Sequence, residues 1–311
     1  MTAALEIRGL SKRFGNLVAI DDVSFTVAHG EIVGFIGPNG AGKTTTMRIA
    51  ATLEYPDAGD VLVGGRSVLT HPREVRAALG FMPDSYGAYA NTTIAEYLDF
   101  YARAYGLRRP LRAQRVREVI EFTSLGDLVA KEIATLSKGL KQRLCLAKTL
   151  LHDPSILILD EPAAGLDPRA RVELRELVRA LAGMGKAVLI SSHILTELAE
   201  MCDGVAVIER GRLCASGDIA AITQGLRPIA QVYLRVLEPL EAAERALAEA
   251  PHVSEVRRER AGLVFSFAGT PDELAGLVAA LVAAGLRPVE FAPEVADLED
   301  VFLSLTPGKL Q

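Results

Sequence analysis

An α/β core that carries a helical subdomain, followed by a small α+β domain of ferredoxin-like arrangement, is the fold class that the sequence predicts. Three observations lead to it. A glycine-rich turn at 37–44 joins an apolar run to a helix-like run, a second apolar run at 156–159 ends in two carboxylates, and the composition changes after Gly217. Short apolar runs between helical patterns are typical of strands buried on both faces of a parallel sheet.

The glycine-rich turn has the complete form G-x-x-x-x-G-K-T. Its glycines allow backbone N–H groups to point inward around an anion, and the following helix adds the positive end of its dipole. Lys43 supplies a full charge to the β- and γ-phosphates of a nucleotide, and Thr44 offers its hydroxyl to Mg²⁺. A turn that merely connects two elements would not need all three fixed positions. The predicted phosphate-binding residues are Gly37, Pro38, Asn39, Gly40, Ala41, Gly42, Lys43, Thr44 and Thr45.

Asp160 and Glu161 directly follow the second apolar run. Ligands of open α/β sheets bind outside the carboxyl ends of the strands, so both side chains are expected beside the glycine-rich turn. Asp160 is suited to hold Mg²⁺ through water, and Glu161 is suited to orient and deprotonate an attacking water. Taken alone, two solvated acids in a turn would be the commoner arrangement. Together with the phosphate loop they predict hydrolysis of a nucleotide.

Composition and charge exclude several classes of protein. The 311 residues suffice for one large or two ordinary domains. A formal net charge of −5 argues against a nucleic-acid-binding surface and provides no electrostatic anchor to an anionic bilayer. The longest apolar window, 275–286, is too short to span a membrane, and the first residues lack the pattern of a signal peptide. Three cysteines without paired or metal-ligand spacing fit reduced thiols, so we expect a cytoplasmic protein.

The segment 136–143, Leu-Ser-Lys-Gly-Leu-Lys-Gln-Arg, then identifies a family. It resembles the L-S-G-G-Q signature of the ATP-binding subunits of ABC transporters. Ser137 and Gly139 match that pattern, whereas Lys138 and Leu140 depart from it. The resemblance implies that the serine hydroxyl and the glycine N–H, at a helix N-terminus, contact the γ-phosphate held by the opposite subunit, with Lys138 adding a positive charge beside it. Without the other motifs, Ser137 could be a helix cap alone.

Three further positions match the family in the expected order. Phe14 corresponds to the aromatic residue that stacks on adenine, although such a residue taken alone would more often belong to the core. Asp167, in the loop after Glu161, corresponds to a residue of the loop that crosses to the other subunit. His193, after another apolar run, corresponds to the catalytic histidine that contacts the γ-phosphate. His152 lies near a predicted helix end, and its position does not indicate a functional role.

Asp84 is the position that departs most clearly from the family. A glutamine normally ends the pattern I-G-Y-x-P-Q, and here Pro83 is followed by an aspartate. The resemblance implies that this position senses Mg²⁺ and the attacking water, and that its loop contacts the membrane partner. An aspartate can accept a hydrogen bond from metal-bound water, but it adds a negative charge near Asp160 and Glu161. A solvated aspartate in a turn is the alternative.

The domain organisation follows from these patterns. We predict an ATPase domain at 1–224 with a helical subdomain at about 88–154, and an accessory domain at 225–311. One apolar face of the subdomain is expected at Tyr97, Phe100, Tyr101, Ala104 and Leu107, and a helix after Ser137 is expected to bury Leu140, Leu144, Ala147 and Leu151. The accessory domain reads strand, helix, strand, strand, helix, strand, then a short helix from 296. Its ending, 297–305, resembles that of ABC-2 class exporter ATPases.

The resemblance implies a cytoplasmic motor subunit on the inner face of the cell membrane. Two copies would close head to tail around two ATP molecules with Mg²⁺, and a separately encoded ABC-2 type permease would carry the substrate. A non-transport ABC ATPase is one alternative, for which a coiled-coil insert, a second cassette or a basic surface would be expected. A nucleotide-gated switch with little turnover is the other, left open by Asp84 and by the altered signature.

Overall fold

The structure, a computed structural model, describes residues 3–84, 87, 91–192, 198, 200–219, 230–237, 239–259 and 261–294. The chain forms two compact units, residues 1–219 and 220–311. The predicted boundary after residue 224 lies outside the described residues. Within the described residues, no helix combines the length and the apolarity that a membrane crossing requires.

The first unit is an α/β fold built on two sheets. Its strands are β1 (Ala3–Phe14), β2 (Leu17–Ala28), β3 (Ile32–Ile36), β4 (Ala58–Val63), β5 (Arg66–Ser67), β6 (Leu79–Met82), β7 (Ile156–Leu159), β8 (Ala187–Ser192), β9 (Gly204–Glu209) and β10 (Arg212–Asp218). Its helices are α1 (Lys43–Ala50), α2 (Pro72–Ala78), α3 (Ile94–Ala104), α4 (Leu111–Phe122), α5 (Lys138–Leu150) and α6 (Pro168–Gly183), with 3₁₀ turns at Gly126–Leu128 and Ile133–Thr135.

A six-stranded sheet in the order β10-β9-β3-β8-β7-β6 positions the site. Neighbouring strands from β9 to β6 run parallel, and β10 pairs antiparallel at one edge. Every residue of β3, β7 and β8 is buried, as the short apolar runs predicted. A second, antiparallel sheet, β2-β1-β4-β5, shares one hydrophobic core with it. The carboxyl ends of β3 and β7 therefore lie at the same edge of the parallel sheet.

The helices α3 to α5 form the helical region, and the predicted apolar face of α3 was partly wrong. Its buried residues are Ile94, Tyr97, Leu98 and Ala102, whereas Phe100 is 54% exposed. The reason is tertiary packing: α3 packs against α4 and α5, and its buried stripe runs through Ile94, Leu98 and Ala102. A capping box of Thr93 and Glu96 begins the helix at Ile94. In α5 three of the four predicted positions are confirmed, because Leu144 and Ala147, and Leu151 just after the helix, are buried, whereas Leu140, in the first turn, is only half-buried.

The second unit has the predicted βαββαβ order. Its elements are β11 (Ala230–Val236), α7 (Leu240–Ala248), β12 (Val253–Glu259), β13 (Gly262–Phe267), α8 (Pro271–Ala283) and β14 (Pro288–Glu294). The strands pair antiparallel in the order β12-β13-β11-β14, which is the ferredoxin-like arrangement. Alternating residues of β11 and β13 pack against the two helices in a core of their own, separate from that of the first unit. The predicted helix from 296 lies outside the described residues.

Candidate active site

The turn after β3 can only be built with glycine at two of its positions. A methyl group on Gly37 would overlap the carbonyl oxygen of Ile208, which belongs to the neighbouring strand β9. Gly42 has a φ of 109°, and a methyl group there would lie 2.6 Å from the carbonyl oxygen of Ala19. Side chains other than hydrogen are excluded by close backbone approach in both cases. The turn therefore brings its backbone tightly around the N-terminus of α1.

Lys43 begins α1 and folds its ammonium group back into the turn. Its Nζ donates to the carbonyl oxygens of Gly37 at 2.6 Å and Pro38 at 3.3 Å. Glu161 Oε1 lies 3.7 Å from the same nitrogen, and Lys43 is only 6% exposed. Burial lowers the pKa of Lys43, while the charges of Glu161 and Asp160 oppose that shift. The ammonium is thus desolvated and held within the turn by these contacts.

Asp160 and Glu161 follow β7 and are joined to β8 through one hydroxyl group. Ser191 Oγ donates to Asp160 Oδ1 at 2.7 Å and accepts from the backbone N–H of Glu161 at 2.8 Å. Ser191 is fully buried and Asp160 is 1% exposed. Glu161 has a φ of 48°, a left-handed conformation that costs a non-glycine residue roughly 1–3 kcal/mol. The surrounding structure therefore holds the catalytic candidate in a conformation that it would not adopt alone.

Ser191 was missed by the sequence reasoning, which passed over it in favour of His193. The available signal was its position at the end of an apolar run, as the polar residue of a strand that could neighbour the one bearing the carboxylates. His193 itself lies outside the described residues. The environment of Asp160 shows what Ser191 does. Burial raises the pKa of Asp160, the hydrogen bonds of Ser191 and Thr44 lower it, and the charges of Asp84 and Glu161 raise it further.

A cavity of about 500 Å³ brings most of the predicted residues together. Its lining residues come from the start of the first unit, the glycine turn and two segments after β6 and β7. They are Phe14, Leu17, Val18, Ala19, Pro38, Asn39, Gly40, Ala41, Gly42, Lys43, Thr44, Thr45, Asp84, Glu161 and Ala164. Leu17, Val18 and Ala19 had not been predicted, since an apolar wall has no motif of its own. Gly37 does not line the cavity but accepts the hydrogen bond of Lys43.

Phe14 borders this cavity as an exposed ring and is not a core residue. It ends β1 and is 47% exposed. Lys12 Nζ lies 5.2 Å from the ring centroid and is itself bonded to the carbonyl oxygen of Tyr55 at 2.7 Å. A cation over one face supports the orientation of an aromatic ring. Planar bases stack on exposed rings of this kind whatever their identity.

The donor set near Asp160 fits a magnesium ion carried in with a nucleotide. The hydroxyl of Thr44 is hydrogen-bonded to the Asp160 carboxylate, so two oxygen ligands of the preferred kind converge. Asp84 and Glu161 add two more negative charges against the single cation of Lys43 among the residues that line the cavity. No group of three or more His, Cys, Asp or Glu side chains forms a metal cage in the described part of the chain. Mg²⁺ with nucleotide phosphates needs only one or two protein ligands.

The signature residues do not line this cavity. Ser137 is the N-cap of α5, where its hydroxyl accepts from the backbone N–H of Leu140 at 3.4 Å. Asp167 caps α6 in the same way, accepting from Ala170 at 2.9 Å. A methyl group on Gly139 would lie 3.1 Å from the Cβ of Ala170, so the two helix starts are closely packed. Lys138 belongs to the same group of residues, because its Nζ lies against Gly165 in the loop that precedes α6.

Comparison with known proteins agrees with this geometry. A model of the ABC transporter family matches residues 20–164. The Nod factor export ATP-binding protein I of Burkholderia lata is 34% identical over 309 residues, covering 99% of both chains. The Escherichia coli protein named "Probable multidrug ABC transporter ATP-binding protein YbhF" is 34% identical, covering 98% of this chain and 52% of that protein.

Comparison with a solved structure identifies the same fold. The structure described as an ATP binding subunit of an ABC transporter superposes with a TM-score of 0.65 and is 32% identical. It covers 72% of this chain and 93% of its own. The phosphate loop, the carboxylates after β7 and near-complete coverage by relatives agree: the chain is an ATPase and belongs to the ABC transporter family, as one of its ATP-binding subunits.

Proposed function

We propose that this chain is the motor subunit of an exporter and drives a separate ABC-2 type permease from the cytoplasmic face of the membrane. The observation that carries the proposal is the convergence of Lys43 and Glu161 at one cavity beside an exposed aromatic ring, with the buried Asp160 hydrogen-bonded to Thr44 of the cavity lining. The relatives named for Nod factor export and for multidrug transport support the direction. The ending of the chain supports the ABC-2 class by its likeness.

Within the cavity each residue has a distinct role. Phe14 stacks on the base, and the turn donates backbone N–H groups to the phosphates. The ammonium of Lys43 neutralises phosphate charge, and Glu161 accepts a proton from the attacking water. Thr44 and Asp160 would hold Mg²⁺, which would supply Lewis-acid stabilisation of the charge that develops on the phosphates.

The site is completed by a second copy of the chain. Ser137, Lys138, Gly139 and Asp167 lie together at the starts of α5 and α6, away from the cavity of their own chain. Head-to-tail pairing would bring this group to the nucleotide of the partner. ATP then contacts both chains, whereas ADP lacks the bridging γ-phosphate, so ATP favours the closed dimer by differential affinity.

Mixing two inactive variants tests turnover and pairing together. Ser137→Arg should block the signature, and Lys43→Ala should disable the phosphate loop, so neither chain alone should hydrolyse ATP. In a mixed dimer one of the two sites has every parental group. At equal mixing we expect up to roughly a quarter of the parental rate, since half of randomly formed dimers are mixed and each has one complete site of two.

The ATPase rate of the mixture is measured beside each variant alone. Dimers tagged on one variant and captured through the other show whether mixing occurred. Captured mixed dimers without turnover would contradict either the head-to-tail arrangement or the independence of the two sites. A parental chain that binds ATP but does not hydrolyse it would instead be the nucleotide-gated switch.

Asp84 is expected to act on the metal rather than on nucleotide affinity. It lines the cavity, and its charge raises the pKa of Asp160. Asp84→Asn removes that charge, so half-maximal turnover should require roughly threefold to tenfold more Mg²⁺, with ATP binding retained. ATPase rates measured against Mg²⁺ for the parent, Asp84→Asn and Asp84→Gln give the comparison. Asp127→Asn, at an exposed turn, is the matched control.

Superimposable Mg²⁺ curves for the parent and Asp84→Asn would place Asp84 outside the reach of the metal. Its loop would then serve contact with the permease alone. A rise in rate with Asp84→Gln is compatible with the proposal, because glutamine is the residue that the family has at this position.

A further inference from the structure

His152 lies where the helical region meets the parallel sheet. Its Nε2 is 3.0 Å from the carbonyl oxygen of Leu79, the first residue of β6. Its ring stacks on Tyr105, which follows α3, with centroids 4.2 Å apart and an interplanar angle of 23°. A carbonyl oxygen can only accept, so Nε2 carries the hydrogen and Nδ1 is the bare nitrogen. That Nδ1 is buried without a hydrogen-bond partner in the described part of the chain.

Other groups fix the same junction. The guanidinium of Arg115, from α4, donates to the carbonyl oxygens of Leu150 at 2.9 Å and Leu151 at 3.2 Å. These carbonyls end α5, where no further helical N–H is available, so Arg115 caps the helix from a neighbouring one. Asp153 lies 3.4 Å from Arg115 and 2.9 Å from Lys186. We call Tyr105, Arg115, His152 and Leu79 the His152 joint.

Strand β6 connects the His152 joint to the active site. A methyl group on Gly80 would lie 2.8 Å from Thr149 and 2.9 Å from Pro154, so β6 is packed directly on the end of α5. At the other end of β6, the carbonyl oxygen of Met82 accepts from the backbone N–H of Asp160 at 2.8 Å. Asp84 follows two residues later and lines the cavity. The strand spans about 10 Å between the two ends.

We propose that His152 is a positioning residue that transmits movement of the helical region through β6 to Asp84. The face of the ring stacks on Tyr105, the residue that ends α3, and its edge bonds to the first residue of β6, so a shift of one element strains the contact with the other. The inference rests on the proposed function, in which the dimer closes on ATP through the start of α5, so that closure acts on a helix of the helical region. His152 would thus be a residue outside the cavity that sets the position of Asp84 relative to the bound metal.

A double-mutant cycle between His152 and Asp84 tests the coupling. His152→Phe keeps a planar ring for Tyr105 but leaves the carbonyl of Leu79 without its donor, and it should lower turnover about tenfold with KM for ATP unchanged. It should also raise the Mg²⁺ concentration for half-maximal binding of a fluorescent ATP analogue. In an Asp84→Asn background both effects should shrink to less than twofold, because the position that they act on has already lost its charge.

The controls separate positioning from folding. His152→Gln keeps a donor within reach of Leu79 but loses the ring that stacks on Tyr105, so it should recover only part of the turnover that His152→Phe loses. His29→Phe, at an exposed turn, should match the parent. Should His152→Phe fail to fold, Tyr105→Leu tests the joint from the helical side. Additive effects of His152→Phe and Asp84→Asn would overturn the proposal, as would a variant with a lower Tm but parental turnover per folded chain.

The analogue-binding measurement keeps the two hypotheses apart. A parental chain without ATP turnover would contradict the proposed function, and the Mg²⁺ dependence of binding would still decide whether His152 and Asp84 are coupled. Parental turnover with additive variants would contradict the coupling alone.

A pH series gives a readout that simple loss of packing would not produce. Burial lowers the pKa of His152, with the charges of Arg115 and Lys186 acting in the same direction and Leu79 and Asp153 opposing. The folded chain then binds fewer protons here than the unfolded chain, so stability is lost as pH falls below about 6.5. The difference in Tm between the parent and His152→Phe should therefore narrow from pH 7.5 to pH 5.5. A constant difference would contradict a neutral, hydrogen-bonded His152.

Discussion

Lys43→Ala is expected to weaken ATP binding by roughly 100-fold and to abolish turnover. The ammonium is buried within the turn, so phosphate binding does not have to desolvate or position it. A charged hydrogen bond lost at such a place is worth about 3 kcal/mol, which is a factor of about 100 in affinity. Equilibrium binding of a fluorescent ATP analogue measures the first effect, and phosphate release measures the second.

Two further variants test whether the effect is specific to the ammonium group of Lys43. Lys43→Arg should not restore binding, because a planar guanidinium cannot occupy the space between the carbonyl oxygens of Gly37 and Pro38 that a point charge fills. Lys131→Ala, at an exposed lysine, should leave both measurements unchanged. Parental affinity in Lys43→Ala would contradict the assignment of the turn as the phosphate site.

Local chemistry explains why so much of this site could be predicted from the sequence. A phosphate loop needs glycine where backbones approach closely, and Gly37 and Gly42 meet that need against Ile208 and Ala19. Asp160 and Glu161 directly follow the buried strand β7. The carboxyl end of that strand lies at the same edge of the sheet as the glycine-rich turn, so this position brings the two acids to the turn. In the second unit, alternating apolar residues and turn residues fixed the order of the elements in the same local way.

Contacts between distant segments explain what could not be predicted. Ser191 meets Asp160 because β8 lies beside β7, and the sequence does not show which strands are neighbours. The buried face of α3 depended on which side of the helix packs against α4 and α5. His152 has no motif, and its importance appears only when Tyr105 is found on the face of its ring and Leu79 at the edge. Such residues are specified by tertiary packing, which no single stretch of sequence records.

Glu161→Gln is expected to separate binding from chemistry. The amide keeps the size of the side chain but cannot accept a proton from water, so turnover should fall by about 10²- to 10⁴-fold. ATP affinity should be retained, because the variant leaves Lys43 and the turn intact. One negative charge beside Lys43 is also removed, which favours phosphate binding rather than opposing it. ATP that binds without being hydrolysed should hold the chains together.

Light scattering or gel filtration with ATP and Mg²⁺ should therefore show Glu161→Gln as a dimer under conditions where the parent is mainly a monomer. Glu176→Gln, on the exposed side of α6, provides the matched control. The two readouts must change in opposite directions, since the same event that ends turnover preserves the bridging γ-phosphate. A Glu161→Gln chain that hydrolyses ATP at the parental rate and stays monomeric would show that another group activates the water. The strained backbone at Glu161 would then need a different explanation.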